Sequence, residues 1–142
     1  MGALAIETNV SARPRRRWAL WTGRGLSALT ILVMLLSAAM KFMAPPLVIE
    51  QFVGKFGYRE GILFALGVLE VSCVVLYAIP RTAVLGAVLV TGYLGGAIAT
   101  HARIGDAFIV PLALGVAAWA GLYLRDERFG ALLPLRSATP SA

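Results

Sequence analysis

The chain is short of the residues from which most reactive centres are built. Its 142 residues include one cysteine and one histidine. A lone cysteine, Cys73, excludes an internal disulfide and any paired-cysteine redox motif. A lone histidine, His101, excludes a bis-histidine haem site and most histidine-based metal sites, and no metal is expected. Charge is scarce as well, at 14% of residues. So little charge beside so much apolar content excludes disorder, a coiled coil and an ordinary soluble enzyme. No motif for haem, flavin or nucleotide is present. Acidic residues are the rarer sign, 7 against 13 basic, giving a net charge of +6. The basic residues are split among short segments between apolar runs, as membrane topology alone requires, so no nucleic-acid partner is expected.

What the chain has in excess is apolar sequence. Hydrophobic residues make up 59% of it. Counting glycine and leaving out tyrosine raises this to about 67%, where soluble domains show about 45–50%. The apolar residues fall into four runs, 26–44, 61–79, 82–100 and 108–124. Each approaches the roughly 20 residues needed to cross a hydrocarbon core of about 30 Å. In lipid the backbone must satisfy its own hydrogen bonds, so each run is expected to be helical. The expected fold is therefore all-α, a four-transmembrane-helix bundle at 25–126. A basic segment, 1–24, precedes it and a tail, 127–142, follows. The first run is longer than the roughly 7–15 apolar residues of a cleaved signal, which predicts a retained helix.

Lys and Arg set the orientation. With the N-terminus inside, Arg13, Arg15, Arg16, Arg17, Arg24, Arg81, Arg125, Arg128 and Arg136 lie on the inner side. Lys41, Lys55, Arg59 and Arg103 lie outside. The expectation is a multi-pass protein of a bacterial inner membrane with both termini cytoplasmic. Trp18, Trp21, Tyr77, Trp119 and Tyr123 then fall near the inner interface, where amphipathic rings are favoured. The outer segment from Leu47 to Tyr58 carries Val48, Phe52 and Phe56 at four-residue spacing, which predicts a short amphipathic helix. Lying flat on the membrane surface is the simpler expectation for it, and covering a site that opens outward is the sharper one.

One stretch carries a family resemblance. It runs from Ile79-Pro80-Arg81-Thr82 through Thr91-Gly92-Tyr93-Leu94-Gly95-Gly96 to His101-Ala102-Arg103-Ile104-Gly105. Together with Gly67-Val68-Leu69-Glu70-Val71-Ser72-Cys73 and Lys41-Phe42, it resembles the DoxX-like family of small bacterial membrane proteins. The resemblance spans about residues 26 to 125 and implies a four-helix membrane bundle. Some DoxX-type proteins are associated with quinone-linked sulfur oxidation or membrane redox assemblies, which makes a quinone the candidate cofactor. The resemblance carries no catalytic residue across.

Glu70 is the most informative residue. It lies about 14 Å along its helix from the outer end, at mid-membrane. A charge there costs about 2.5–3.5 kcal/mol even on lenient scales, so Glu70 is expected to face the bundle interior. Thr91 and Tyr93 sit at similar depth on the antiparallel third run and are the expected hydroxyl partners. Lys41, His101 and Arg103 approach the outer helix ends beside Glu50 and Asp106. They either snorkel to the interface or form a polar cluster above Glu70. Lys41 and Glu70 differ in depth by roughly 9 Å, a gap two long side chains almost bridge. An imidazole such as that of His101 suits a proton relay. Gly86, Gly92, Gly95 and Gly96 are expected to serve close helix packing, with room for a ligand beside Tyr93 as the alternative.

These residues suggest a ligand site at Glu70, Tyr93, Thr91, Lys41, His101 and Arg103. The functional expectation is a membrane subunit or accessory protein of a quinone-linked redox process. A small transporter or permeability factor, and a purely structural subunit, are the alternatives. A membrane-protein partner or a homo-oligomer fits each of them. Whether the chain catalyses anything alone is left open by the sequence.

Overall fold

The computed structural model describes residues 17–59 and 61–126. The expected basic run at Arg13, Arg15 and Arg16, and Arg128 and Arg136 beyond the last helix, lie outside the described residues. Among those described, the fold is all-helical: α1 (Arg17–Met43), α2 (Pro46–Ile49) continuing into a π-helical segment (Glu50–Lys55), α3 (Ile62–Ala78), α4 (Ala83–Arg103) and α5 (Ile109–Arg125). Two helices, α1 and α4, are long and apolar enough to cross a membrane. The other two apolar helices, α3 and α5, have 17 residues each, about 26 Å of rise.

Helix boundaries follow the local chemistry. Pro45 and Pro46 stop α1, because proline has no N–H to continue the ladder. At its other end α1 begins at Arg17, well before the apolar run, so Trp18 and Trp21 are helical and exposed. Pro80 separates α3 from α4, and Gly105 at φ +69° turns the chain between α4 and α5. Pro111 sits in the first turn of α5, where a missing donor costs least.

The four long helices close a ring in which α1 packs on α3 and α5, and α4 packs on α3 and α5. The buried stripe of α1 steps through Ala19, Gly23, Ser27, Thr30, Met34, Ala38 and Lys41, every third or fourth residue. Met34, Val74, Val90, Ala118 and Leu122 meet in the middle. Outside the ring the surface is also apolar, with Leu32, Leu36, Phe64, Leu85, Ile109 and Val116 each more than half exposed. So large an apolar exterior fits a lipid surround and not water.

The two ends of the ring differ. At the end where α1 begins and α5 finishes, Tyr77 is wholly buried. Its hydroxyl donates to the Ala118 carbonyl at 2.7 Å and therefore accepts from Ser27 at 3.0 Å. Arg125 lies over the Tyr77 ring and donates to its carbonyl at 2.9 Å. Tyr77 is expected at an interface; it is instead enclosed, because α1 and α5 supply the partners for its polar groups. The opposite end carries the α2–π segment as a cap over a cavity.

Candidate functional site

At the floor of that cavity, α1 and α3 bring together two buried opposite charges. Lys41 Nζ lies 2.9 Å from Glu70 Oε2, with both side chains at most 7% exposed. Ser37 stands one turn before Lys41 on α1. Its hydroxyl accepts from Lys41 at 2.6 Å and donates to Glu70 at 3.3 Å. The three groups form a closed ring of charge-assisted hydrogen bonds. Burying either charge alone would cost several kcal/mol, so the ring satisfies a need that the apolar surround creates. The Lys41 ammonium also faces the rings of Phe52 and Tyr93, at 5.4 and 6.0 Å from their centroids.

Above the pair lies a cavity of about 590 Å³. Its walls are largely apolar, from α1 (Val33, Met34, Met40), α3 (Leu66, Leu69) and α5 (Val110, Leu114). Its roof is the cap, through Val48, Gln51, Phe52, Phe56 and Tyr58. The apolar stripe predicted for the cap is therefore turned onto the bundle and not left lying on a surface. Phe52, Phe56 and His101 form an edge-to-face series, with centroid separations of 5.4 and 4.9 Å. The π-helical turn closes through a bond from Phe56 N–H to the Gln51 carbonyl, 2.9 Å. Such turns are rare and often mark functional sites.

The cap is tied to the far rim by polar groups. Lys55 donates to Asp106 at 2.8 Å, and the Tyr58 hydroxyl donates to Thr100, which itself donates to the Gly96 carbonyl. Arg103 donates to the Phe56 carbonyl. Asp106 lies outside the helices, and the Lys55 ammonium hydrogen-bonded to it holds its carboxyl below the usual range. His101 Nδ1 is 3.3 Å from Asp106 Oδ2 but makes no hydrogen bond there.

The expected residues thus divide. Glu70, Lys41, Tyr93 and His101 all face one cavity. The Thr91 hydroxyl is not a partner of Glu70. It points to the other side of α4, donates to the Ala87 carbonyl and accepts from Trp119, at 2.8 Å in each case. Thr91 and Tyr93 are two residues apart, about 200° around a helix, and so cannot serve one carboxylate together. Arg103 belongs to the rim and does not reach the pair. The imagined single cluster is in fact two, a deep pair and a rim clasp.

The glycines divide as well. A Cβ at Gly86 would run into the backbone of Leu76 and Tyr77, so this residue does serve close packing. Gly92, Gly95 and Gly96 are exposed, and a Cβ on any of them would meet nothing within 4 Å. They do not pack helices within this chain: Gly92 and Gly96 widen the cavity, and Gly95 lines a second, shallower cleft between α4 and α5. Ser37 is the site residue that the sequence reading missed; its i, i+4 spacing to Lys41 was the available signal.

A family model described as the DoxX-like family matches residues 25–121. The chain belongs to the DoxX-like family. The match takes in Ser37, Lys41, the cap, Glu70, Tyr93, His101 and Asp106. Together with two helices of spanning length, membership makes this DoxX-like chain a membrane protein that sits in a lipid bilayer. No curated protein and no solved structure is significantly similar to it.

Proposed function

We propose that all four long helices of this DoxX-like protein cross a bacterial inner membrane, with both termini cytoplasmic and the cap facing out. On this reading the cavity binds a lipophilic carbonyl compound of the quinone class, and the protein serves a redox process as a membrane subunit or accessory. The observation that carries the reading is the Lys41–Glu70 pair on the floor of an otherwise apolar, aromatic cavity.

The residues present suit such a head group. Lys41 is a donor for a quinone oxygen, and Glu70 is an acceptor for the hydroxyl of the reduced form. Phe52 and Tyr93 offer ring faces beside the same ammonium. Gly92 and Gly96 leave space for a ring next to Tyr93. The volume falls within the roughly 300–1,000 Å³ of small-molecule sites. A bound quinone would supply two-electron chemistry, and the chain's own part is to orient the head group and hold or release a proton at Glu70. Helices of 17 residues lie at the short end of the spanning range, about 17–25 residues.

Native mass spectrometry from gentle detergent tests this directly. The wild-type protein is expected to retain a quinone-sized ligand and to bind an added short-chain quinone analogue. Glu70→Gln is expected to weaken that binding while the protein stays in the membrane. Wild-type binding by both Glu70→Gln and Glu70→Leu would overturn the reading.

A further inference from the structure

We infer that the segment from Pro46 to Lys55 is a hinged lid whose release from the Asp106 rim admits molecules to the cavity from the aqueous side. The inference rests on reading the cavity as a ligand site. Both ends of the segment carry backbone in the left-handed region. Ala44 has φ +43°, and Gly57 and Gly61 have φ +72° and +86°. A non-glycine residue there is uncommon, and the glycines adopt it without a Cβ penalty. A Cβ at Gly57 or Gly61 would meet nothing within 4 Å, so the glycines serve the chain's turning and not its packing.

Between these points the segment touches the rest of the chain in two ways. Its underside, Val48 and Phe52, belongs to the cavity roof and not to the packed centre of the bundle. Its own fastening is polar and placed at the rim, while the Arg103 bond to the Phe56 carbonyl and the Tyr58–Thr100 bond lie beyond Lys55 and hold the hinge side. The Lys55–Asp106 pair has side chains 54% and 30% exposed, and ion pairs so open to solvent hold weakly. The deep Lys41–Glu70 pair joins α1 to α3 and does not involve the segment's own side chains in its hydrogen bonds. Lifting the segment would leave the floor of the site intact. Among the described residues of the opposite end, the short turn from α3 to α4 is pinned by Thr82 Oγ1 donating to the Leu76 carbonyl at 2.8 Å.

The test places one reporter cysteine on the cavity wall, Ala97→Cys, in a Cys73→Ala background. A membrane-impermeant thiosulfonate reagent is added from the lid side of proteoliposomes. Breaking the clasp with Asp106→Ala is expected to speed labelling by up to about fivefold, the factor an exposed ion pair can supply. The charge-reversed pair Lys55→Asp with Asp106→Lys restores the contact and is expected to restore slow labelling. Equal labelling rates in all three proteins would overturn the lid. A short-chain quinone analogue is followed in the same proteins, and its association is expected to quicken when the clasp is broken. If labelling responds to the clasp but no quinone binds, the lid stands and the quinone reading falls.

Discussion

The two ends of this helix ring solve the same problem in opposite ways. At the sealed end, polar groups are consumed internally: Ser27, Tyr77 and the Ala118 carbonyl complete one another, and small residues let backbones touch. A Cβ at Gly23 would lie within 3 Å of both Gly121 and Arg125 backbone atoms. At the capped end the helices part, and the polar groups at their walls are a charged pair facing open space. The first end is built for cohesion. The second keeps a costly ion pair beside an unfilled volume, which a purely cohesive design would have filled with apolar side chains.

The sharpest way to break the contrast is at the charged pair. Lys41→Met leaves Glu70 buried without its cation and is expected to cost about 3–5 kcal/mol. Lys41→Met combined with Glu70→Leu removes both charges and is expected to recover most of that loss, because well-packed apolar replacements of buried pairs are often neutral or stabilising. Thermal melts in detergent check both. A double variant that is stable yet no longer binds the quinone analogue would separate the pair's role in binding from its role in folding.

The glycines provide a smaller effect with opposite signs at the two ends. Gly86→Ala drives a Cβ into the Tyr77 backbone and is expected to destabilise by about 1–3 kcal/mol. Gly96→Ala meets open space and is expected to be neutral or to stabilise by up to about 1 kcal/mol through helix propensity. Gly96→Leu would instead intrude on the cavity, and its expected mark is weakened quinone binding at unchanged melting temperature. Equal melting temperatures for the two alanine variants would erase the distinction between ends.

The smallest effect belongs to the rim. Asp106 has its carboxyl held below the usual range by Lys55, so the ionised form is the one the fold favours. Its contribution is present above the ordinary carboxyl range and is lost as pH falls through the lowered value. Labelling of the Ala97→Cys reporter, taken relative to that of a free thiol at the same pH and salt because only the thiolate reacts, is therefore expected to quicken in strong acid and, through screening, in high salt. The Asp106→Ala protein should show neither response.

Much of the fold was legible because lipid leaves few choices. Long apolar runs broken at Pro45-Pro46 and Pro80 can only be helices, and the buried carboxyl of Glu70 announced itself by cost. What resisted reading was direction around each helix. Of the two partners that depth alone gives Glu70, Tyr93 lies beside it and Thr91 turns away, and its cation comes from Lys41, bent back along α1 through Ser37. Spacing of small residues marks α4 as a place of close approach for backbone or ligand, but not which of its faces each glycine occupies. Tyr77 looked interfacial by position and became central, because its partners lie on helices distant in sequence.

The ion pair also bears on how such a chain is made. Lys41 lies in the last turn of the first apolar helix, where an ammonium can snorkel, and Glu70 lies midway along the second, where a lone charge costs about 2.5–3.5 kcal/mol. In the four-span reading the second of these helices is not a finished membrane segment when it leaves the ribosome. Its carboxylate finds its cation only when it meets Lys41 across the cap. The unit of membrane insertion is then the hairpin, and the cap is the connector whose length decides when the two charges can first meet.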